Sequence, residues 1–464
     1  MHDPSIYKAY DIRGIVDSSL TESVIEKIAR SFALLVQQSG EKAVALAYDG
    51  RLSSPKFSEI VSNVLAECGL TVYVLGATPT PLLYYATHHL DTKSGVMITA
   101  SHNPPEYNGL KLVLNSCCLS SEGIQNLRHL VEQEQFGTIS ERRGEIIKHD
   151  IVDAYLNDLV ERINIPKGDR GSIAIDAGNG VAGNVARRLY QRLGYRVNSL
   201  YEEIDGNFPN HHPDPTEMKN LVDLQRLIQS NGYMGGFAFD GDGDRLGVLD
   251  ASGNLCFPDK TLMVLARETL QRSRKNGIIF DVKCSRFMYD FIKENGGDPI
   301  ISRTGHIFMK DLLRKTDEAI LAGEMSGHIF FKSWYGFDDP FYASAILLEI
   351  TEKDNAKDFS ALYKDLPKSY TTGEIKINLK ESDDASEIIK KFQTFPFPGA
   401  VSIIDIDGVR VEYENGFGLL RASNTTPVLV MCFEGKTKSD QEEIAKIFYD
   451  RLRSVDWDLL PEQG

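Results

Sequence analysis

The apolar and polar positions of this chain fall into a pattern that recurs three times. Three apolar runs, KAVALAYDGR, GSIAIDAGNG and NGIIFDVKCS, each end in an aspartate and a small polar loop. Each is followed by a second run, TVYVLGATPTP, YRVNSLYEEIDGNFPN and DPIISRTGHIF, and then by a third, SGVMITASHNP, MGGFAFDGDGDR and AILAGEMSGH. Stretches of helical period lie between them, among them SPKFSEIVSNVLAECG, AGNVARRLYQRLG and TLMVLARETLQRS. Runs in this order predict α/β alternation, repeated in pattern rather than in identity. The third run of each segment ends in its most unusual loop, and open α/β sheets bind ligands in loops beyond the strand ends.

After about residue 365 the spacing shortens. TTGEIKINL, VSIIDIDGVRVEYE, GFGLLRAS and PVLVMCFEG read as close-spaced strands joined by turns, with helices over DDASEIIKKFQ and DQEEIAKIFYDRLRS. This is a separate α+β domain, and EKDNAKDFSALYKDLPKSY before it reads as a last helix followed by a hinge. The expected organisation is three α/β domains, 1–148, 149–250 and 251–365, and an α+β domain, 366–464.

Composition narrows the function classes. The 464 residues are 42% hydrophobic, enough for several cores. A net charge of −15 without a basic block disfavours nucleic acid and anionic membranes as partners, so an anionic substrate must meet local positive charge. Six cysteines show no C-x-x-C spacing, and Cys117 and Cys118 are adjacent, which fits reduced buried thiols of a cytoplasmic protein rather than a disulfide framework. No apolar run reaches the ~18 residues that span a bilayer, and MHDPSIYKAYDIRG has no apolar targeting core.

The candidate chemistry lies in the loops. DGDGDR alternates Asp240, Asp242 and Asp244 with glycines that allow a tight turn, so three carboxylates converge. Such a cluster repels itself unless a hard cation joins it; the alternative is a solvated acidic turn. An EF-hand is excluded, because its sixth and twelfth positions hold Arg245 and Ala251 instead of Gly and Glu. Three carboxylates with open coordination positions suit Mg²⁺ that also binds a phosphate oxygen.

RASNTTP gathers Arg421, Ser423, Asn424 and Thr425 into a set of donors that suits a dianionic phosphate, or forms an ordinary turn. GEMSGH offers Glu324 and Ser326 as acceptor and donor for neighbouring sugar hydroxyls, with His328 beside them; a surface glutamate and a loop histidine are the plain alternative. Taken alone, Arg13 of YKAYDIRG reads as a surface arginine and His306 of SRTGHIFMK as a structural loop histidine.

Ser101 ends the run GVMITAS in a polar loop that two prolines keep from becoming a helix. A hydrolase nucleophile needs a base within hydrogen-bond reach. His102 is adjacent in sequence, an unfavourable geometry for that role, and no G-x-S-x-G elbow surrounds the serine. With a metal cluster and a phosphate loop elsewhere in the chain, Ser101 is expected to carry a phosphoryl group whose oxygens Mg²⁺ neutralises during transfer.

YKAYDIRG, TASHNP, NGLK, FPNHHPDP, DGDGDR, GEMSGH and RASNTTP occur together in one family's order, and over its whole length the chain resembles the α-D-phosphohexomutases, in their bacterial phosphomannomutase/phosphoglucomutase branch. The resemblance implies three similar mixed-sheet α/β domains and a fourth like the TATA-box-binding protein, arranged around a central cleft, each lending one loop. It implies Ser101 as the phosphoserine, and Asp240, Asp242 and Asp244 as Mg²⁺ ligands together with an oxygen on Ser101. Glu324 and Ser326 would contact the sugar, and Arg421, Ser423, Asn424 and Thr425 would hold the phosphate that is not reacting. Tyr10, Arg13, Lys111, Arg245, Lys283, His306 and His328 would complete the cleft, with Lys111, His306 and His328 as unranked acid and base candidates.

The activity implied is reversible conversion of mannose 1-phosphate or glucose 1-phosphate to the 6-phosphate, through a phosphoserine and a hexose 1,6-bisphosphate that turns end over end without leaving. Glucose 1,6-bisphosphate or mannose 1,6-bisphosphate is the expected activator, and hexose phosphates are the expected partners of a monomer. Two readings stand beside it: a phosphoglucosamine mutase, which typically has Gln where this chain has Met325, and a sugar-phosphate binding protein without turnover. A serine phosphatase would instead release phosphate. Two departures from the family stand out. Ala47 and Tyr48 replace Gly and Arg, which predicts a local adjustment. Asp338-Asp339-Pro340 replaces Asp-Asp-Gly, which predicts an altered loop that touches no named contact.

Overall fold

A computed structural model describes residues 3–166, 168, 170–380, 383–423 and 428–455. The chain divides into two compact units, Met1–Leu265 with Ser326–Lys364, and Ala266–Met325 with Asp365–Gly464.

The first unit contains two of the three repeats. In the first repeat Ala43–Tyr48 lies between Thr71–Ala77 and Gly95–Ile98, parallel to both. The sheet runs in the order Ile12–Ile15, Tyr107–Leu114, Gly95–Ile98, Ala43–Tyr48, Thr71–Ala77, Ile146–Lys148, and is mixed because Tyr107–Leu114 is antiparallel to both neighbours. Helices Glu22–Gln38 and Ser54–Glu67 turn Ile25, Ile28, Phe32, Val61 and Leu65 into its core at helical spacing. Each such side chain contributes about 1.5–3 kcal/mol by leaving water. The register with Thr71–Ala77 shifts between Leu46 and Ala47.

In the second repeat Ser172–Asp176 is parallel to Arg196–Leu200 and Gly236–Phe239, and Leu246–Leu249 folds back antiparallel. Helix Pro340–Lys353 belongs to this unit and packs on Gly183–Arg192 and Leu246–Leu249, with Phe341 stacked on Phe239. Asp339 caps its first turn by accepting from Phe341 N and Tyr342 N, and Pro340 stands at a first-turn position, where the missing N–H costs nothing. Asp-Asp-Pro is therefore a helix start rather than a resettled loop.

In the second unit Gly277–Asp281 is parallel to Asp298–Ser302 and Ala319–Gly323, the pairing of the first two repeats again. An antiparallel sheet follows in the order Tyr370–Thr371, Val428–Gly435, Gly416–Ala422, Val409–Tyr413, Ser402–Ile404, with Ile375–Asn378 also on Val428–Gly435. Helices Ala385–Gln393 and Lys438–Val455 close its core around Phe392, Phe433 and Phe448. The apolar run VSIIDIDGVRVEYE forms two strands, turned at Asp407-Gly408.

No disulfide joins the six cysteines, but the expectation of buried thiols holds for Cys68, Cys284 and Cys432 alone. Cys117 is exposed and Cys118 and Cys256 are half-buried, because each of these three lies on a two-residue strand at a sheet edge. Among the described residues no helix is long and apolar enough to cross a membrane.

Candidate active site

Ser101 leaves strand Gly95–Ile98 through Thr99, whose hydroxyl accepts Ser101 N at 2.7 Å, and stands at a φ of 51°. A left-handed serine costs on the order of 1 kcal/mol, so the loop must be held from outside. Arg51 holds it: the fully buried guanidinium donates to the carbonyls of Ser101 at 2.9 Å, Asn103 at 2.6 Å, Pro104 at 2.6 Å and Tyr107 at 2.8 Å, and to Asp49 Oδ2 at 3.1 Å. Arg13 adds bonds to Asp11 Oδ2 at 2.7 Å and Asn103 Oδ1 at 2.6 Å. The expectation of a surface arginine at Arg13 is thus corrected; it is 7% exposed, because the loop needs donors beneath it. Tyr10 is half-buried at the turn into Ile12–Ile15.

DGDGDR follows strand Gly236–Phe239 and lies against this loop. A Cβ at Gly241 would stand 2.7 Å from the Ser101 carbonyl oxygen, which explains the glycine. Asp240 Oδ2 accepts Ser101 Oγ at 2.7 Å, while its Oδ1 accepts Asp244 N at 3.0 Å and Arg245 N at 3.1 Å. Lys111, on strand Tyr107–Leu114, bridges Asp242 Oδ2 at 2.6 Å and Asp244 Oδ2 at 2.5 Å. Thr80, the first residue of helix Thr80–His89, donates its hydroxyl to Asp242 Oδ2 at 2.7 Å.

The three carboxylates are fully buried, and burial with the charges of Asp244 and Asp242 pushes Asp240 well above the ordinary carboxyl range. Burial raises Asp242 and Asp244 too, but Lys111 beside both, with the Thr80 hydroxyl on Asp242 and Arg245 near Asp244, brings them below that range. Lys111 is correspondingly raised: burial opposes its charge, and the two carboxylates more than offset that.

A cation fits here on the donor set alone. The three carboxylates each bring an oxygen within 4.8 Å of the others, and Asp242 Oδ1 and Asp244 Oδ1 are buried without a hydrogen-bond partner. An acidic cluster of oxygen donors with orphaned lone pairs is what a hard dication takes.

Three contacts here were not expected. His102 Nδ1 lies 3.2 Å from Ser101 Oγ, since the left-handed backbone at Ser101 turns adjacent side chains toward each other. Burial, with Arg245 and Arg13 nearby, holds His102 well below the usual histidine value, so its imidazole is neutral. His328, which is buried, places Nδ1 3.1 Å from the Asp244 carbonyl and 3.2 Å from Asp338 Oδ2. The expectation that Asp338-Asp339-Pro340 touches no named contact is overturned: Asp339, held by Tyr155 and Trp334 at 2.7 Å each, starts a helix that sets Asp338 against His328. Ser326 is half-buried in the same unit.

The second unit carries a different set. Glu324 is buried and accepts Gly305 N, rather than standing on the surface. His306 is corrected from a loop to the first residue of helix His306–Lys315, buried, with Nδ1 3.2 Å from Lys310 Nζ. Arg421, 4% exposed, donates Nε to Asp407 Oδ2 at 3.0 Å and keeps Nη2 buried without a partner. Lys283 pairs with Glu374 at 2.7 Å and repels Arg421 electrostatically, so two cations are gathered here. Ser423 is half-buried; Asn424 and Thr425 lie outside the described residues.

Sequence reasoning missed Arg51, Thr80, Asp338, Asp281 and Asp407 as residues that hold these sets. Asp281 ends one of the apolar runs and Asp338 stands in a departure from the family, but neither local pattern shows what the side chain would hold.

Comparison with known proteins bears on both units. The chain matches the families described as phosphoglucomutase/phosphomannomutase alpha/beta/alpha domains I, II and III over residues 4–138, 153–253 and 257–370, and the C-terminal domain of the same series over 374–451. It is 45% identical to a phosphoglucomutase of Neisseria gonorrhoeae over 446 residues, 96% of this chain and 95% of that one. It is 43% identical to a phosphomannomutase/phosphoglucomutase of Pseudomonas aeruginosa over 456 residues, 98% and 97% of the two chains. The crystal structure of a phosphoglucomutase/phosphomannomutase family protein from Burkholderia thailandensis superimposes with a TM-score of 0.91 at 40% identity, covering 100% and 99% of the two chains.

Proposed function

The chain belongs to the phosphoglucomutase/phosphomannomutase family, and from that premise we propose that it interconverts the 1- and 6-phosphates of glucose and mannose with Ser101 as phosphoryl carrier. The observation that carries the proposal is the 2.7 Å bond from Ser101 Oγ to Asp240 Oδ2, which sets an alcohol at the edge of three buried carboxylates.

Asp240, Asp242 and Asp244, with an oxygen on Ser101, would hold Mg²⁺, which when bound supplies positive charge to phosphoryl oxygens. Phosphorylated Ser101 gives its phosphoryl to the 6-hydroxyl of a hexose 1-phosphate. The Oγ–P bond breaks, an O6–P bond forms, the hydroxyl proton passes to a base and Ser101 Oγ takes one up. The bisphosphate then reorients, its 1-phosphoryl returns to Ser101 Oγ, and the 6-phosphate departs. Glucose or mannose 1,6-bisphosphate serves as activator by phosphorylating Ser101.

Arg51 and Arg13 keep the Ser101 loop in place through its carbonyls and Asn103, and Arg245 adds charge 3.8 Å from Asp240. Lys111, paired with Asp242 and Asp244, would supply charge, and His306 and His328 would stand as the other acid and base candidates. Arg421, Lys283 and Ser423, with Asn424 and Thr425, would take the phosphate that is not reacting, and Tyr10 would line the reacting group or its sugar. Glu324 and Ser326 would grip two sugar hydroxyls away from C2, where glucose and mannose differ, so both sugars are accepted.

The test is a coupled assay with Mg²⁺ and a trace of glucose 1,6-bisphosphate on mannose 1-phosphate, glucose 1-phosphate and glucosamine 1-phosphate. Comparable conversion of the first two, with little of the third, is expected. Preference for the amino sugar, phosphate release, or no turnover overturns the proposal.

A further inference from the structure

We propose that Asp407 is a positioning residue that sets Arg421 for phosphate and ties it, through Thr304, to the loop that carries Glu324. The inference rests on the reading of Arg421 as a phosphate ligand and adds a residue that no sequence motif pointed to.

Asp407 Oδ2 accepts two hydrogen bonds, from Arg421 Nε at 3.0 Å and from Thr304 N at 2.9 Å. Thr304 Oγ1 donates to Asp281 Oδ2 at 2.9 Å, and Asp281 Oδ1 accepts Met325 N at 3.2 Å. The next residue, Gly305, gives its N–H to Glu324. The two residues Thr304 and Gly305 therefore form a crossbar within the second unit, with the arginine anchored at one end and both Glu324 and Met325 at the other.

A hairpin aspartate ordinarily spends its carboxylate on its own turn. Asp407 spends Oδ2 on the neighbouring strand and on a segment 103 residues earlier in the chain. The turn also presses on its target. Gly408 has a φ of 84°, and a Cβ there would lie 2.7 Å from Arg421 Cα, so the hairpin tip sits directly over the arginine.

The charge arrangement requires such an anchor. Lys283 repels Arg421, and a long, rotamer-rich arginine side chain is free to swing away unless it is held. Pairing Nε with a carboxylate fixes the guanidinium plane and offsets the repulsion. The Nη edge, with Nη2 buried and unpartnered, is then left to meet an anion end-on.

The experiment is steady-state kinetics on glucose 1-phosphate with Asp407→Ala, Asp407→Asn, Arg421→Ala and the Asp407→Ala/Arg421→Ala double variant, with a melting curve for each. Asp407→Ala is expected to raise KM about tenfold with a smaller change in kcat, and the double variant to be no worse than Arg421→Ala alone. Asp407→Asn, which keeps an acceptor oxygen, is expected to recover part of the loss. Thr304→Val, which removes the bond to Asp281, is expected to raise KM in the same direction by less.

Wild-type KM in Asp407→Ala, while Arg421→Ala is impaired, overturns the inference, as does an additive double variant. Wild-type kinetics in Arg421→Ala overturns the phosphate reading itself, a separate result. If Asp407→Ala does not fold, Asp407→Asn carries the test, and an unchanged KM in it counts against the inference.

Discussion

The Ser101 region and the Arg421 region solve opposite electrostatic problems. Around Ser101 three buried carboxylates face Lys111 and Arg245, and two of their oxygens have no hydrogen bond; around Arg421 a buried guanidinium faces Asp407, and its Nη2 has no hydrogen bond. The first collects negative charge on fully buried carboxylates, which favours a cation. The second leaves donor capacity in a buried place, which favours an anion. Each region is incomplete in the sense of the ligand it would take. Orphaned atoms, read by sign, support the two proposed roles from the chemistry of the groups themselves.

The largest expected effect breaks the comparison on the Ser101 side. Ser101→Ala removes the proposed phosphoryl carrier and should lower turnover by about 10⁴-fold or more, while glucose 1-phosphate still binds by calorimetry. Retained activity would show that the carboxylates serve another nucleophile. Asp242→Asn should lower kcat by about 10²–10³ and raise the Mg²⁺ concentration for half activity, because Lys111 loses one of its two carboxylate partners and the orphaned oxygen loses its charge. An unchanged Mg²⁺ titration would move the cation away from this cluster.

A smaller effect sharpens the same side. Thr80→Val removes the hydroxyl that steadies Asp242 and should cost about 1–3 kcal/mol of stability with less than about a tenfold change in kcat. If kcat falls as far as in Asp242→Asn, the hydroxyl orients the carboxylate for chemistry rather than for folding.

What could be read in advance followed locality. The three repeats were legible because a strand's apolar run and its terminal aspartate are contiguous, and Asp240, Asp242 and Asp244 converge within a single turn. The holders were not legible. Thr80 reaches Asp242 across 162 residues, Arg51 reaches the Ser101 carbonyl across 50, and Asp407 looks like half of a turn until Thr304 is brought to it. Topology, not local pattern, makes those contacts. His102 failed for a different reason: side chains of adjacent residues diverge in extended backbone, and only the left-handed φ at Ser101 brings this pair to 3.2 Å. Pro340 misled as well, since its fixed φ stiffens a loop but fits the first turn of a helix.

The smallest expected effect compares the three strand-end aspartates. Asp49 is met by Arg51, Asp281 by the Thr304 hydroxyl and Asp176 by His211, whose Nε2 lies 3.1 Å from both carboxylate oxygens. Of these partners His211 alone gains and loses charge near neutral pH. The groups around it are Asp176, the Tyr201 ring with Asp223 on its hydroxyl, and the His212 carbonyl that Nδ1 faces at 2.9 Å. Burial opposes the imidazolium, but the bond to Asp176 and its charge outweigh that, and the His211 value is raised. A raised histidine contributes stability that is present in full below its ordinary value of about 6.5 and is lost as pH rises through the folded value. His211→Gln should therefore lower the melting temperature more at pH 5.5 than at pH 8.5, by about 2 °C. Asp49, paired with an arginine that never titrates in this range, gives the internal control: Arg51→Lys should shift the melting temperature equally at both pH values. Equal shifts for His211→Gln as well would mean that the second repeat holds its strand end through a neutral hydrogen bond.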